Sequence, residues 1–189
     1  MPAAAPAPES ARRRALLDAA YDYVLVHGLA GLSLRPLAAA IGSSPRVLLF
    51  LFGSKEGLVQ AILGRARADE LAALDRVRCA GASGGLPAAG EVIWAWLAAP
   101  EHRALLTLWV EGYGRALVEP DGPWARFAER TVHDWLAVLD EVDAGDVINH
   151  TLLLAALRGA LLDLLATGDV ARTSAAVARF LRAFGAGLR

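Results

Sequence analysis

The stretch SSPRVLLFLFGSKEGL, residues 43–58, places six apolar residues in a row, from Val47 to Phe52. A serine pair, a proline and an arginine precede the run, and the only lysine of the chain, Lys55, follows it. A surface helix of a globular protein shows a polar face in its sequence pattern, and this run has none. Its side chains must therefore either be buried against other parts of the chain or contact a partner.

The residues around this run predict a helix-turn-helix. One short helix begins after Ser33, which is a favourable N-cap, and ends at Gly42. A second short helix begins at Pro45, a residue suited to the first helical turn, and ends at Gly53. Two helices joined by a short turn in this way form the helix-turn-helix pattern, here over residues 33–52.

Helical patterns extend over the rest of the chain. A first helix is predicted from about residue 10 to 27, and a long helix from 54 to about 79. The clearest linker is AGASGGLPAAG, and beyond it we expect helices at roughly 88–99, 101–118, 122–141, 144–167 and 172–185. Alternating β-branched runs bounded by turns are absent from the sequence, so we predict an all-α protein of about nine helices.

Length and composition fit one large domain or two small ones with a substantial core, because the chain has 189 residues and is 56% apolar. The N-terminal stretch lacks the apolar segment of a signal peptide, and we predict a disordered tail at residues 1–9. The most apolar segment, 147–168, is interrupted by Arg158 and Asp163 and falls short of a membrane span. We therefore expect a cytoplasmic protein with no membrane partner.

Charge is distributed unevenly along the chain. Residues 1–67 carry eight Lys/Arg and four Asp/Glu, whereas residues 68–189 carry eleven and sixteen. A basic N-terminal third followed by an acidic remainder indicates a nucleic-acid-binding region joined to a different kind of domain. A solvated basic face would give the same distribution.

Residues 15–63 resemble the DNA-binding region of the TetR (tetracycline-repressor-like) family of bacterial transcription regulators. The matching features are the double alanine and the glycine of the first helix, the serine before the second helix, LAAAIG at 37–42, and F-x-S-K-E-x-L at 52–58. The resemblance implies a homodimer with a DNA-binding domain at 10–70 and a helical ligand-binding and dimerisation domain at 71–189. It also implies that a small molecule weakens DNA binding.

On this scaffold, residues 45–51 form the recognition helix. Leu48 and Phe52 are four residues apart and should face inward onto Leu37 and Ile41. The other side chains of the apolar run then lie toward the DNA or beside it. The run is thus predicted to be half core and half DNA-facing surface.

The N-terminal end of a recognition helix meets the base edges. Arg46 can form a bidentate contact with guanine O6 and N7, whereas Pro45 and Val47 can only make apolar contacts, such as with thymine methyl groups. The predicted DNA-binding residues are Arg12, Arg13, Arg14, Ser33, Arg35, Ser44, Pro45, Arg46, Val47, Leu49, Phe50, Ser54 and Lys55. The arginine triplet in this set is a phosphate or minor-groove arm, or alternatively part of a solvated tail.

Two positions depart from the family pattern. The family commonly has tyrosine at position 49 and histidine at position 50, both donating to phosphates, whereas this chain has Leu49 and Phe50, which cannot donate. Either phosphate anchoring shifts to other residues or DNA binding is weak. Specificity should then depend on Arg46, on methyl contacts and on DNA shape.

All five tryptophans lie between residues 94 and 135, with other aromatic and a few polar residues among them. Ligand pockets are mostly apolar with a few placed polar groups, and the family resemblance implies such a pocket for an apolar or aromatic molecule. The alternative is that these aromatics fill a helical core. The predicted ligand-binding residues are Trp94, His102, Trp109, Glu111, Tyr113, Trp124, Phe127 and Trp135.

The last two helices are predicted to form the dimer contact. The helix at 144–167 is apolar nearly all round, and the helix at 172–185 has apolar residues at i, i+3, i+4 and i+7. Two such helices from each subunit make a four-helix contact, and the alternative is burial within one subunit. The predicted interface residues are Leu153, Leu157, Leu161, Val177, Phe180, Leu181 and Phe184.

Catalytic and metal chemistry finds little support in the sequence. Residues 81–85 match G-x-S-x-G, but the strand of a nucleophile elbow does not precede them. His102, His133 and His150 fall on different predicted helices without metal-ligand spacing, so we expect no metal or cofactor. Cys79 is the only cysteine, so an intramolecular disulfide framework is excluded. We expect this cysteine to be inert.

We therefore predict a DNA-binding transcriptional regulator that is not an enzyme. It is expected to be a repressor that a small ligand releases from a palindromic double-stranded operator. The alternative is a helical small-molecule-binding sensor with weak or lost DNA binding, which the residues at 49 and 50 favour.

Overall fold

A computed structural model describes residues 8–29, 31–122, 124–144 and 146–187, with all of their side chains except those of 8–10, 70–76 and 78–83. Within these residues the chain is all-α, as predicted, and contains no strand. The helices are α1 (Pro8–His27), α2 (Leu34–Ala40), α3 (Pro45–Phe52), α4 (Lys55–Ala98), a 3-10 helix (Pro100–His102), α5 (Arg103–Val118), α6 (Phe127–Val142), α7 (Val147–Thr167) and α8 (Val170–Gly187).

Three predicted boundaries are wrong. Helix α1 begins at Pro8, inside the predicted tail, of which residues 1–7 lie outside the described part. The predicted linker at 80–90 is helical, and α4 is interrupted only at Gly85, where φ is 64° and ψ is −161°. Only glycine adopts this backbone readily, so the small-residue composition marks a break within a helix. Helix α6 begins at Phe127, five residues later than expected.

The described chain divides into two compact units. Unit 1 comprises the described residues up to Ala68 together with Leu108–Ala125. Unit 2 comprises Asp69–Thr107 and the described residues from Arg126 onward. Helices α4 and α5 each contribute residues to both units, so a single boundary near residue 70 does not describe this division.

Unit 1 contains the helix-turn-helix. Helices α2 and α3 are bent by 101° relative to each other, which is within the range of helix-turn-helix motifs. Helix α2 packs against both α1 and α3. The larger buried apolar side chains of these helices, their connections and the start of α4 are Tyr21, Val24, Leu29, Leu32, Leu37, Leu48, Phe52, Leu58, Ile62 and Leu63.

The turn between α2 and α3 is a Schellman motif. Gly42 has φ 64°, and the N–H of Ser43 donates to the carbonyl of Ala38 over 2.8 Å. The next residue, Ser44, caps α3 because its Oγ accepts a hydrogen bond from the N–H of Val47 at 3.3 Å. The stop of one helix and the start of the next are therefore encoded in three consecutive residues.

The junction between α3 and α4 requires two glycines for different reasons. Gly53 ends α3 with φ 78°, in the region that other residues rarely adopt. Ser54 caps α4, since its Oγ accepts a hydrogen bond from the N–H of Gly57 at 2.9 Å. A Cβ atom at Gly57 would overlap the carbonyl oxygen of Phe52. The end of α3 therefore lies directly against the first turn of α4.

Unit 2 is built on α7, which packs against both α6 and α8. A Cβ atom at Gly90 of α4 would lie 2.6 Å from Leu181 and 3.0 Å from Leu153, so this arm of α4 approaches α7 and α8 closely. At the turn between α7 and α8, the guanidinium of Arg172 donates to both carboxylate oxygens of Asp163 at 2.7 and 2.6 Å. These hydrogen bonds lower the pKa of Asp163, so this contact weakens only as the pH falls through that lowered pKa.

Most side chains predicted for the dimer contact belong to the core of unit 2. Leu153, Leu157, Leu161, Val177 and Leu181 are buried within the chain, while the half-buried rings of Phe180 and Phe184 stack on each other with centroids 5.3 Å apart. The first five therefore cannot form a surface for a second subunit. On α7 the exposed large apolar side chains are different ones, Val147, Ile148, Leu152 and Leu162.

Helix α7 is also the one helix in the described residues that is by itself long and apolar enough to cross a membrane. A third of its most apolar stretch is buried inside the chain, and the helix contains Arg158 and Asp163. The core helix of a globular protein meets the same criterion of length and composition.

The close contact at Gly57 predicts opposite effects for two glycine-to-alanine substitutions in α4. Gly57→Ala should destabilise the protein by about 1–3 kcal/mol, because backbone atoms must move to accommodate the methyl group. Gly64→Ala, where a Cβ meets nothing within 4 Å, should stabilise it by about 0.5–1 kcal/mol through helix propensity. Urea unfolding followed by circular dichroism measures both, and equal effects at the two positions would contradict the described junction.

Candidate functional site

Helix α3 divides its apolar run between core and surface. Leu48 and Phe52 are buried, as predicted, and lie on the side of α3 that packs into unit 1. Phe50 is 76% exposed and Leu49 is 42% exposed. Arg46, near the N-terminal end of the helix, is also exposed. The surface of α3 therefore presents one guanidinium beside large apolar side chains.

Arg13 does not extend from the surface as the predicted arginine arm requires. Its Nε donates to the carbonyl of Leu51 at 3.3 Å, and its guanidinium lies 4.8 Å from the ring centroid of Phe52. A cation at the C-terminal end of a helix interacts favourably with the helix dipole, and a cation over an aromatic face forms a cation–π contact. All three arginines are exposed, but Arg13 also joins α1 to the end of α3.

The predicted phosphate contacts occupy helix starts. Ser33 is at the N-cap of α2, but its side chain makes no capping hydrogen bond. The hydroxyl groups of Ser44 and Ser54 each accept a hydrogen bond from their own helix. Ser44 keeps its proton to donate, whereas the hydroxyl of Ser54 donates to the carboxylate of Glu56. Arg35 and Lys55 are exposed and offer further donors.

A carboxylate lies among these donors. Hydrogen bonds from its own backbone N–H and from Ser54, together with the charge of Lys55, lower the pKa of Glu56. The start of α4 therefore carries opposite charges on adjacent residues. Lys55 can bind a phosphate, but the neighbouring carboxylate reduces the net positive charge there.

Glu111 of the predicted ligand-binding set lies in unit 1 and does not line the cavity of unit 2 described below. Its Oε2 accepts a hydrogen bond from the N–H of Leu29 at 3.0 Å, in the connection between α1 and α2. Its Oε1 accepts a second from Nε of Arg115 at 3.3 Å. Helix α5 thus supplies the acceptor for a backbone N–H that follows the end of α1.

The eight predicted ligand-binding residues are divided between the two units. Trp109, Glu111, Tyr113 and Trp124 belong to unit 1, and the other four belong to unit 2. Trp94 of unit 2 is buried, and its Nε1 donates to Oγ of Ser174 at 3.0 Å, which joins α4 to α8. This tryptophan is a packing residue, so part of the aromatic set fills the core, as the alternative interpretation held.

Unit 2 contains a cavity of about 310 Å³. His102 and Trp135 of the predicted set line it, together with Trp96 and Glu101, which were not among the predicted ligand-binding residues. The rest of its lining is aliphatic and, except for Ala99, comes from α4, including Val92 and Ile93. A local sequence signal could have identified Trp96. It lies six residues before His102, and Pro100 between them marks the end of a helix, so the two rings can come together at that end.

The two aromatic rings at this helix end form one wall of the cavity. Nδ1 of His102 lies 2.8 Å from the carbonyl oxygen of Trp96. A carbonyl oxygen can only accept, so Nδ1 carries the proton. The imidazole and indole rings stack with centroids 4.5 Å apart and an interplanar angle of 28°, and Trp135 is buried beside the cavity.

Other chemistry gains no support from the described residues. Among them, no three His, Cys, Asp or Glu side chains come together as a metal site. The backbone before Ser83 is helical, so the G-x-S-x-G match lacks the strand of a nucleophile elbow. The side chain of Cys79 lies outside the described ones.

Comparison with known proteins identifies the N-terminal region most clearly. Residues 16–62 match the family model described as bacterial regulatory proteins, tetR family. The HTH-type transcriptional regulator BetI of Rhizobium meliloti (strain 1021) is 27% identical over 154 residues, which is 79% of this chain. The match covers 61% of BetI, so the chain spans less than two thirds of the length of this relative.

Solved structures match over nearly the whole chain. A transcriptional regulator from Rhodococcus sp. Rha1 has a TM-score of 0.73 and 20% identity, covering 93% of this chain and 96% of that one. The multidrug binding protein EbrR, in a complex with proflavin, has a TM-score of 0.67 and 26% identity, covering 92% and 99%. The same protein in complex with imidazole also matches, with a TM-score of 0.66.

The contacts of Arg13 predict a local effect on α3. Arg13→Ala should increase hydrogen exchange of the α3 amides by about two- to tenfold, because it removes one hydrogen bond and one cation–π contact. Arg12→Ala, which removes an exposed neighbour on the same helix, should leave these rates unchanged. Native-state exchange measured by NMR tests this, and equal rates in the two variants would show that Arg13 does not fix α3.

Proposed function

We propose that this chain is a regulator of the tetR family, whose model matches residues 16–62, and that it represses transcription from a palindromic operator and is released by a small apolar or aromatic ligand. Membership makes it a DNA-binding regulator and not an enzyme. Its proposed partners are double-stranded operator DNA, a small-molecule effector and a second copy of the chain. Action on DNA places it in the cytoplasm.

The arrangement of α3 carries the proposal for base recognition. Leu48 and Phe52 hold the helix by its inner side, which leaves Arg46 exposed next to the N-terminal end. This end of a recognition helix meets the base edges, and arginine can pair with guanine O6 and N7. Phe50 and Val47 lie beside it and offer apolar surface for thymine methyl groups.

Phosphate binding is assigned to groups around α3. Ser33, Arg35 and Lys55 are exposed and can donate to phosphate oxygens. Such contacts add affinity that falls with salt concentration but carries no base preference. Arg46 and Lys55 are therefore proposed to have different roles, one in specificity and one in general affinity.

Two variants separate these roles. Arg46→Ala should cost roughly 1–3 kcal/mol on the selected operator and reduce base preference at one position of each half-site, whereas Lys55→Ala should weaken all duplexes similarly and reduce the salt dependence. Selection from a random duplex library, followed by affinity measurements at several salt concentrations, compares them. Identical effects on selected and scrambled duplexes would contradict the assignment.

A second candidate is a ligand sensor with weak or lost DNA binding. Its support is the exposure of Leu49 and Phe50, 42% and 76%, on a surface where family members commonly place phosphate donors. The same selection experiment decides between the two, because a sensor without DNA binding would enrich no symmetric sequence. A duplex bound only at low salt and without preference would also favour the sensor.

The proposed dimer uses the outer side of α7. Ile148, Leu152 and Leu162 are 70%, 52% and 51% exposed, and the small residues Ala155 and Gly159 lie between them and are also exposed. The spacing alternates between four and three residues, so these five residues form one stripe along the helix. Small residues within an apolar stripe allow a second helix to approach closely.

Disruption of this stripe should separate the subunits. Leu152→Asp places a carboxylate in the proposed contact, where it would be desolvated without a partner, and should weaken the dimer at least about tenfold. Val26→Asp is the control, because Val26 is 78% exposed in unit 1 and outside the stripe. Sedimentation equilibrium measures the dimer dissociation constant of both variants. An intact Leu152→Asp dimer would show that the dimer contact lies on another surface.

The cavity of unit 2 is the proposed effector site. Its aromatic and aliphatic lining with two polar side chains is typical of small-molecule pockets, and EbrR, which has this fold, binds proflavin and imidazole in its crystal structures. Helix α5 begins directly after His102 and carries Glu111, whose carboxylate binds the N–H of Leu29. We assign ligand release to movement along this helix, with a coupling of about 1–3 kcal/mol.

A further inference from the structure

The geometry points to a narrower ligand class for this cavity: a flat aromatic cation that carries a hydrogen-bond donor. The inference rests on the proposed function, which assigns the cavity to an effector of apolar or aromatic character. It adds that the ligand is positively charged and that it donates hydrogen bonds. Both follow from the side chains that line the cavity.

Glu101 and His102 supply hydrogen-bond acceptors to the lining. Glu101 contributes a carboxylate, which when ionised only accepts hydrogen bonds. His102 uses the proton on Nδ1 for the carbonyl of Trp96, so in the neutral ring its remaining nitrogen, Nε2, is an acceptor. A ligand that offers only acceptors would leave Nε2 of the half-buried His102 without a partner, which is costly, and would gain nothing from Glu101.

The formal charge of the described lining residues is negative. Glu101 is the one acidic residue of the described lining, which includes no lysine or arginine. The adjacent Arg103 directs its guanidinium to the carbonyl of Leu165 on α7, at 3.1 Å. The indole N–H groups of Trp96 and Trp135 are the donors of the lining, and they carry no formal charge.

The aromatic side chains favour a planar ring that bears the positive charge. The stacked pair of Trp96 and His102, with centroids 4.5 Å apart, offers a flat wall, and Trp135 adds a second indole to the lining. Tryptophan is the strongest cation–π partner among side chains. The volume of about 310 Å³ is at the lower end of the ~300–1,000 Å³ range of ligand pockets, which fits a molecule of a few fused rings.

The position of Glu101 explains how the site is stable when empty. Its side chain is exposed, so water solvates the carboxylate before a ligand binds. A cation in the cavity would gain attraction to this carboxylate and to the indole faces together. An anion of the same shape would lose both contributions.

Three probes with similar fused rings test charge directly: 9-aminoacridinium, neutral acridone and anthracene-9-carboxylate. Titration calorimetry of the full chain is done without DNA, because aromatic cations also bind duplexes. We expect 9-aminoacridinium to bind at least about fivefold more tightly than acridone, and the anion to bind most weakly. Equal or tighter binding of the anion, or absence of binding by the cation, would overturn the inference.

Matched variants place the effect at the cavity. Glu101→Gln should weaken 9-aminoacridinium by about two- to fivefold and leave acridone unchanged, whereas Trp96→Leu should weaken both. Glu91→Gln is the control, since Glu91 is an exposed carboxylate of α4 that does not line the cavity, and it should change neither affinity. An unchanged cation affinity in Glu101→Gln would overturn the inference. Selection of operator sequences in the absence of ligand tests DNA recognition independently. Failure of the ligand inference can therefore be distinguished from failure of the proposed DNA-binding function.

Discussion

The surface proposed to contact DNA depends on how a helix of eight residues, α3, is held in place. An isolated helix of this length is not stable in water, so α3 has its geometry only because other parts of unit 1 fix it. Leu48 and Phe52 bury its inner side, Ser44 caps its start, and the absence of a side chain at Gly57 lets its last carbonyl lie against α4. The base contact proposed for Arg46 therefore requires these contacts to hold the helix.

Arginine side chains near the N-terminus illustrate why residue type does not determine role. A triplet of arginines beside a helix-turn-helix is expected to bind phosphates, yet the middle one binds the C-terminal end of α3 and lies over Phe52. This contact satisfies a backbone carbonyl and stabilises the helix that carries the base-reading group. Arg13 therefore acts mainly by holding α3 in position, and its contribution to the positive electrostatic potential of the surface is secondary.

Local sequence signals predicted unit 1 well, because caps, glycines and one-turn spacings are short-range. Gly42, Ser44 and Gly53 end and begin helices where expected, and the burial of Leu48 and Phe52 follows from their spacing of four. Residues 80–90 were mispredicted for a related reason: several small residues suggested a loop, but only Gly85 leaves the helical conformation. A single backbone torsion is not visible in composition.

Long-range contacts account for most of the remaining errors. An apolar stripe on α7 or α8 shows that one side of the helix is buried, but it does not show which part of the structure buries it. Leu157 and Val177 were therefore assigned to a contact with a second subunit, although their own chain buries them. Glu111 was grouped with nearby aromatics in the sequence, whereas its partner is the N–H of Leu29, 82 residues away. The cavity likewise combines α4, the 3-10 helix and α6, which no local pattern brings together.

The hydrogen bond between Glu111 and Leu29 has a consequence for modularity. A helix-turn-helix region is often regarded as a portable module, and the match to residues 16–62 has this form. In this chain the module consists of two segments, because the turn after α1 takes its acceptor from α5, in Leu108–Ala125. A chimera joined near residue 68 would transfer the reading helix without the carboxylate that completes its support, so exchange of specificity between relatives requires both segments to be transferred together.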